Sequence, residues 1–209
     1  MIGLLELSSV ENSRPSLALD DRKRQTEARV RQRYQGFTRR DFLALPVMAA
    51  YARYYRRFNK TYHVQLQLES IVLKGKGLPD VSPLVDANFV AEVETLVLTA
   101  GHDVEKLQGA VVIDVSREGD QLTQMDGTSR AIRAGDMVMR DARGICCSIL
   151  YGQDHRSAIS LDTAHVLYVA YVPIGVSAET VTAHLQAVEE HARLGAPRAV
   201  REQRRLLVA

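Results

Sequence analysis

The sequence predicts an α+β domain in which N-terminal helices precede a mainly antiparallel β layer and one helix closes the fold. Three observations carry this expectation. Apolar residues recur at helical spacing from Thr38 to Leu96, short runs rich in β-branched and aromatic residues alternate with turns from Ala110 to Tyr171, and helical spacing returns after Pro173. Helices followed by a block of strands, then a helix, define the α+β class.

Residues 7–20 have loop composition and no sustained apolar period. Residues 21–35 have a helical pattern but carry charge on nearly every side, so only tertiary packing can order them. Thr38, with Asp41 just inside, reads as the N-cap of a helix carrying Phe42, Leu45, Met48, Ala49, Ala52 and Tyr55. Pro46 is tolerated if that helix proper begins near it. Val64–Leu73 alternates at its start as a strand would. Leu84, Val85, Phe89, Val93 and Leu96 line one side of a further helix, and Gly101-His102-Asp103 reads as a turn. Ala110–Val115, Met137–Met139, Gly144–Tyr151 and His165–Tyr171 read as strands, with turns at Met125-Asp126-Gly127 and Ala134-Gly135-Asp136. Ser177 caps the closing helix, Val181, Leu185 and Val188 share its face, and Gly195 stops it. The chain divides accordingly into a basic, partly flexible N-terminal extension (1–37), a domain (38–195) and a basic C-terminal tail (196–209).

At 209 residues with 46% hydrophobic side chains, the chain can bury one substantial core. No apolar run approaches the roughly 18–20 residues that span a bilayer, so no membrane role is expected. Met1–Glu6 lacks the basic and apolar regions of a secretory signal. The cysteines are adjacent, Cys146-Cys147. A vicinal disulfide is strained, so two reduced, buried thiols are expected, as suits a cytoplasmic protein. With no further Cys and no His at ligand spacing, no metal or other cofactor is expected. Net charge is +2, yet 21–40 carries +6, 193–209 carries +4 and 61–192 carries −9. An acidic body is a poor phosphate surface, so the basic flanks would hold any nucleic acid, unless they form a solvated face or tail. The run Tyr51–Lys60 interleaves aromatics with Arg53, Arg56 and Arg57, a pattern that suits nucleic acid and a half-buried helix alike.

The most informative stretch is 71–103. A basic Gly-rich loop, Lys74-Gly75-Lys76-Gly77, leads through Leu78-Pro79-Asp80-Val81-Ser82-Pro83 into Leu84-Val85-Asp86-Ala87-Asn88. Asp103-Val104-Glu105-Lys106-Leu107 follows, then Arg117-Glu118-Gly119, Met125-Asp126-Gly127, Gly135-Asp136-Met137-Val138 with Asp141, and Thr163. In this order and spacing, over roughly residues 42–172, these pieces resemble the B3/B4 module, the editing domain of the bacterial phenylalanyl-tRNA synthetase β-subunit, which also occurs free-standing. The resemblance implies a B3/B4-like fold, a helix rather than a strand at 64–73, and tRNA, through its aminoacyl acceptor end, as partner. It implies attack by water on an aminoacyl ester, which needs a positioned water, oxyanion stabilisation and a selective pocket. Such an ester is activated, so positioning and substrate-assisted proton transfer can suffice, in keeping with the lack of a G-x-S-x-G or H-E-x-x-H motif. No ATP-site motif is present, so ATP is not an expected ligand, and the oligomeric state is left open.

The activity implied is a trans-acting editing-type hydrolase that deacylates mischarged tRNA. The alternative is a non-catalytic module that binds an amino acid or the tRNA acceptor end. Compared with the synthetase module, Ala100 stands where that module has histidine, with the imidazole displaced to His102, and Tyr168 stands in place of a glutamate. The candidate catalytic residues are His102, beside Asp103, and Asn88. Asp86, Ser148, His155, Thr163 and Tyr168 are candidates for substrate binding, although Asp86 and Asn88 lie about 200° apart on a helix and cannot share one pocket. Lys74, Lys76, Arg53, Arg56 and Arg57 are the candidate RNA contacts. His165 reads as structural, and His184 and His191 as exposed residues of the last helix.

Overall fold

The computed structural model describes residues 1–208. It opens with a strand, β1 (Ile2–Ser8), and a helix, α1 (Leu17–Arg33), followed by α2 (Arg39–Ala44), α3 (Pro46–Arg56), α4 (His63–Lys74) and α5 (Pro83–Thr95). After β2 (Thr99–Asp103) and a 3-10 turn at Val104–Lys106 come β3 (Val112–Val115), β4 (Gln121–Thr123), β5 (Ser129–Ala131) and β6 (Met137–Asp141). The chain continues through β7 (Gly144–Ser148), β8 (Gly152–Gln153), β9 (Val166–Tyr171) and α6 (Ala178–Gly195) to β10 (Val200–Leu207).

Local chemistry accounts for the helix limits. Thr38 and Asp41 form a capping box for α2. The helix expected to run on from Thr38 is broken at Leu45, because Pro46 lacks the N–H that would continue it and instead occupies the first turn of α3. Gly75 ends α4 in the left-handed region (φ 67°), so 64–73 is helical. Pro83 starts α5, and Ser177 caps α6 through the Thr180 amide.

The strands form two four-stranded antiparallel sheets, ordered β10-β1-β9-β2 and β3-β6-β7-β8, and a β4–β5 hairpin. The main core joins helical residues such as Met48, Tyr51, Leu68, Val90 and Val188 to Leu5, Leu7, Tyr168 and Ala170 of the first sheet and to Met139 and Cys146 of the second. A satellite cluster of Leu122, Ile132, Val138 and Ile145 fills the space under the hairpin. No helix among the described residues is long and apolar enough to cross a membrane.

Three sequence expectations change. Both flanks carry built elements of the fold: β1 lies between β9 and β10, with Leu5 and Leu7 fully buried, and α1 buries Leu19, Lys23, Thr26 and Val30. The charged run Val200-Arg-Glu-Gln-Arg-Arg205 becomes an edge strand, where one unpaired side tolerates charge. Gly101-His102-Asp103 is strand, not turn, because it pairs in register with Tyr168, Leu167 and Val166. Finally, His184 and His191 are buried rather than exposed. His184 bridges Thr95 Oγ1 (2.7 Å) and Thr99 Oγ1, and His191 Nε2 meets Glu94 at 2.8 Å.

Candidate functional site

A cavity of about 170 Å³ lies between α5, β2, the β7–β8 hairpin and β9. Val85, Asn88 and Phe89 face it from α5, at the i, i+3, i+4 spacing of one helical face. Leu96, in the left-handed region at φ 65°, ends α5 and reverses the chain, so that β2 returns beside the helix it has just left. Asn88 and Glu92, one turn apart, then grip a single residue of that strand. Asn88 Nδ2 donates to Thr99 O (3.1 Å), and Thr99 N donates to Glu92 Oε1 (2.8 Å).

Gly101 pairs with Tyr168, whose ring occupies the space a side chain would need. A Cβ at Gly101 would lie 2.5 Å from Ile159 Cδ1 and 3.1 Å from the Tyr168 ring. The Tyr168 hydroxyl donates to Leu84 O at 2.8 Å, so this residue serves the cavity as a wall and its polar end is already used. Gln153 Nε2 donates to Gly101 O, and Ser148 Oγ donates to Asp136 while accepting from Tyr151 N (3.1 Å).

No lining side chain carries a permanent charge. Two residues of the lining, Asn88 and Tyr171, bring buried polar atoms that lack any partner: Asn88 Oδ1 and the Tyr171 hydroxyl. Buried groups of this kind are costly when unpaired. His63, at the start of α4, is the one imidazole of the lining. Its side chain is partly open to solvent; desolvation on its protein-facing side and the neighbouring Lys60 lower its pKa, so the ring is largely neutral at pH 7, and Nδ1 lies 3.3 Å from the Tyr55 hydroxyl. Glu92, behind Asn88, is pushed up to about 8 by burial, against the opposing hydrogen bond from Thr99 N. Burial raises the Cys146 and Cys147 thiols to about 12, so neither is a thiolate at neutral pH; both are free and buried. Among the described residues, no group of three or more His, Cys, Asp or Glu side chains is placed to hold a metal.

Of the candidate catalytic and substrate-binding residues, the structure brings Asn88, Ser148 and Tyr168 together around this cavity and leaves four outside. His102 is sealed in. Strand alternation turns it away from the face that Gly101 presents, its Nδ1 bonds Ser157 Oγ (2.8 Å), and burial drives its pKa down to about 3. Its Nε2 is buried without a partner, and the ring does not line the cavity. Asp86 points away from Asn88, pairing with Lys23 Nζ (2.8 Å) and accepting from Val81 N (3.0 Å). Thr163 donates to Asp103 (2.8 Å) and accepts from Ser160 N (2.9 Å), which ties down the loop before β9. His155 is exposed, and its backbone is pinned to Thr123 O (3.0 Å). The candidate RNA contacts Lys74, Lys76, Arg53, Arg56 and Arg57 are all exposed, the lysines at the end of α4 and the arginines along α3 and its C-cap. His63, Thr99, Gln153 and Tyr171 of the lining escaped sequence reading. Each comes from a different element, and no local spacing links them.

Fold and cavity together define the class: an α+β domain with an uncharged, side-chain-sized cavity where one helix crosses the edge of an antiparallel sheet. The B3/4 domain family model matches residues 47–202, and the chain belongs to that family. It is similar to the phenylalanine–tRNA ligase beta subunit of Vibrio cholerae, 30% identical over 124 residues that make up 57% of this chain and 15% of that subunit. The corresponding subunit of Streptomyces avermitilis is 32% identical over 72 residues, 34% of this chain and 9% of that subunit. The chain thus spans only a small part of the length of these relatives. Among solved structures, an N-terminal fragment of the phenylalanyl-tRNA synthetase beta subunit from Pyrococcus horikoshii aligns with 56% of this chain and 42% of its own, at a TM-score of 0.46 and 11% identity.

Proposed function

We propose that the cavity receives the amino-acid side chain of an aminoacyl-tRNA and that the protein hydrolyses the ester in trans, as an editing-type deacylase of the cytoplasm. The observation that supports this best is the pair of unpartnered polar atoms, Asn88 Oδ1 and the Tyr171 hydroxyl, on residues lining a cavity of about 170 Å³. A void of roughly 150 Å³ accommodates a benzene ring, so the volume suits one amino-acid side chain. In this reading, water attacks the ester carbonyl carbon, the carbon–oxygen bond to the ribose breaks, and the departing ribose oxygen takes a proton. His63, neutral at pH 7, orients that water, while Asn88 and Gln153 supply amide groups to the substrate.

A second reading, a module that binds an aminoacyl or amino-acid group without cleaving it, draws support from the uncharged lining. No carboxylate there can grip an α-ammonium group. Deacylation of a panel of tRNAs, each charged with a different amino acid, separates the two. Under the hydrolytic reading the protein cleaves at least one ester faster than background, and Asn88→Ala and His63→Ala each slow it by about 10²-fold or more. Retained tRNA binding with no cleavage of any ester rejects hydrolysis and leaves the binding module.

A further inference from the structure

Most cations of the two basic segments already pair with carboxylates, some of them at the surface. Lys23 pairs with Asp80 and Asp86, Arg24 with Asp21, Arg29 with Glu94, and Arg31 with Glu27. At the other end, Arg193, Arg201 and Arg204 all converge on Glu189. These groups already have their counter-charges, so they are poor phosphate ligands.

A different set of cations is left over: Arg130 and Arg133 come from the stretch that composition marks as acidic, and Arg57 and Lys60 from just before it. Lys60 and Arg130, 70 positions apart in the chain, stand over the same Tyr151 ring, at 4.4 Å and 4.8 Å from its centroid. Arg133 donates to Phe58 O, and Arg57 lies over the Tyr54 and Phe58 rings at 5.2 Å and 5.3 Å. None of these four cations has a carboxylate salt-bridge partner among the described residues. Desolvation, and after it the positive charges of Arg130 and Arg133, lower the pKa of Lys60 against the opposing pull of Asp136. The acid facing it, Asp136, is buried and already occupied by Tyr54, Ser148 and the Leu150 amide. The cluster also adjoins the cavity. Lys60 precedes His63 by one helical turn's worth of chain, Tyr151 precedes Gly152, and both His63 and Gly152 line the cavity. Tyr55 joins the two sides, its hydroxyl meeting Ile149 O and His63 Nδ1.

We propose that Lys60, Arg130 and Arg133, set around Tyr151, form the seat for the phosphodiester backbone of a single-stranded RNA end that leads into the cavity. The proposal rests on the reading of the cavity as an aminoacyl site, and it assigns the grip to this cluster rather than to the chain's basic termini. Cations without carboxylate partners, gathered around an aromatic ring that holds them in place, favour a flexible strand whose phosphates can follow their spacing.

The test is binding of a fluorescein-labelled single-stranded RNA of about twelve nucleotides, measured by anisotropy over a range of salt. Each phosphate contact on a single strand contributes about 0.7 to the slope of log K against log salt. The variant Lys60→Ala/Arg130→Ala/Arg133→Ala therefore flattens that slope by about 2 and loses roughly 100-fold in affinity at 0.1 M salt. Lys60→Arg/Arg130→Lys/Arg133→Lys, which keeps the charge, retains both slope and affinity and excludes misfolding as the cause. The control Arg24→Ala/Arg198→Ala, in the basic termini, binds like wild type. Unchanged binding by the triple alanine variant overturns the proposal, as does tighter binding of a polyglutamate peptide than of RNA, which would make the partner an acidic protein. Failure of the aminoacyl reading looks different: the cluster still governs RNA affinity while no aminoacyl ester is cleaved or bound.

Discussion

Replacing Glu92 by Gln should remove a pH dependence of stability that the fold imposes on this one carboxyl. Glu92 is buried beneath the cavity, accepts a hydrogen bond from Thr99 N at 2.8 Å, and has its pKa pushed from 4.5 to about 8 by burial. The folded state therefore holds a proton that the unfolded chain releases near pH 4.5. Stability is full below pH 4.5 and is lost as the pH climbs towards 8. Each pH unit within that window costs about 1.4 kcal/mol, so the full difference is about 5 kcal/mol. Gln keeps the shape and the acceptor for Thr99 N but carries no proton to lose. Urea unfolding followed by far-UV circular dichroism at pH 6.5 and pH 8 should show wild type losing about 2 kcal/mol relative to Glu92→Gln. The other carboxylates and the histidines are common to both proteins and cancel in this comparison. A wild-type-to-variant difference that stays constant from pH 6.5 to 8 would refute the claim that Glu92 is protonated in the folded state.

The buried histidines give the opposite slope. Burial lowers His102 and His184 to about 3, so the unfolded chain binds protons that the folded one refuses, and thermal stability should fall as the pH drops below 6.5. Each ring is expected to cost about 2 kcal/mol between pH 6.5 and 4.5, and His184→Gln should flatten the pH dependence of the melting temperature over that range. Lys23→Met should destabilise by about 3 kcal/mol, because it strands the buried Asp86 carboxylate. Lys23→Met/Asp86→Leu should recover much of that loss in urea titrations, and strictly additive effects would show that the two side chains do not interact. Gly101→Ala should cost about 1–3 kcal/mol, since the added methyl meets Ile159 and the Tyr168 ring. A melting temperature equal to wild type would mean that this wall of the cavity yields easily.

Asn88 and His102 show how far the candidate site could be read from residues alone. Helical spacing separates Asn88 from Asp86, and the structure duly sends them to different sides, Asn88 to the cavity and Asp86 to Lys23. His102 looked like half of a polar pair at a turn. Because the segment pairs with β9, alternation buries the ring and leaves Gly101 on the cavity side. The distribution of charge in space is likewise not legible along the chain. Counting cations along the chain cannot tell that Glu189 absorbs three arginines, or that Lys60 and Arg130 meet over Tyr151.

By itself, the sequence determined the α+β class, the helix starts at Thr38 and Ser177, and the motif series that carries the family. Each of these is written in neighbouring residues, through caps, breakers and periodicity, and is legible without a partner. Only the tertiary structure decided that Ile2–Ser8 and Val200–Leu207 are strands, which histidines are buried, and which elements enclose the cavity. Those outcomes depend on residues such as Leu5 and Tyr168, or Gly3 and Leu206, meeting across more than 160 positions of chain. No local pattern records such a pairing, because the free energy that selects it arises only when both surfaces leave water together.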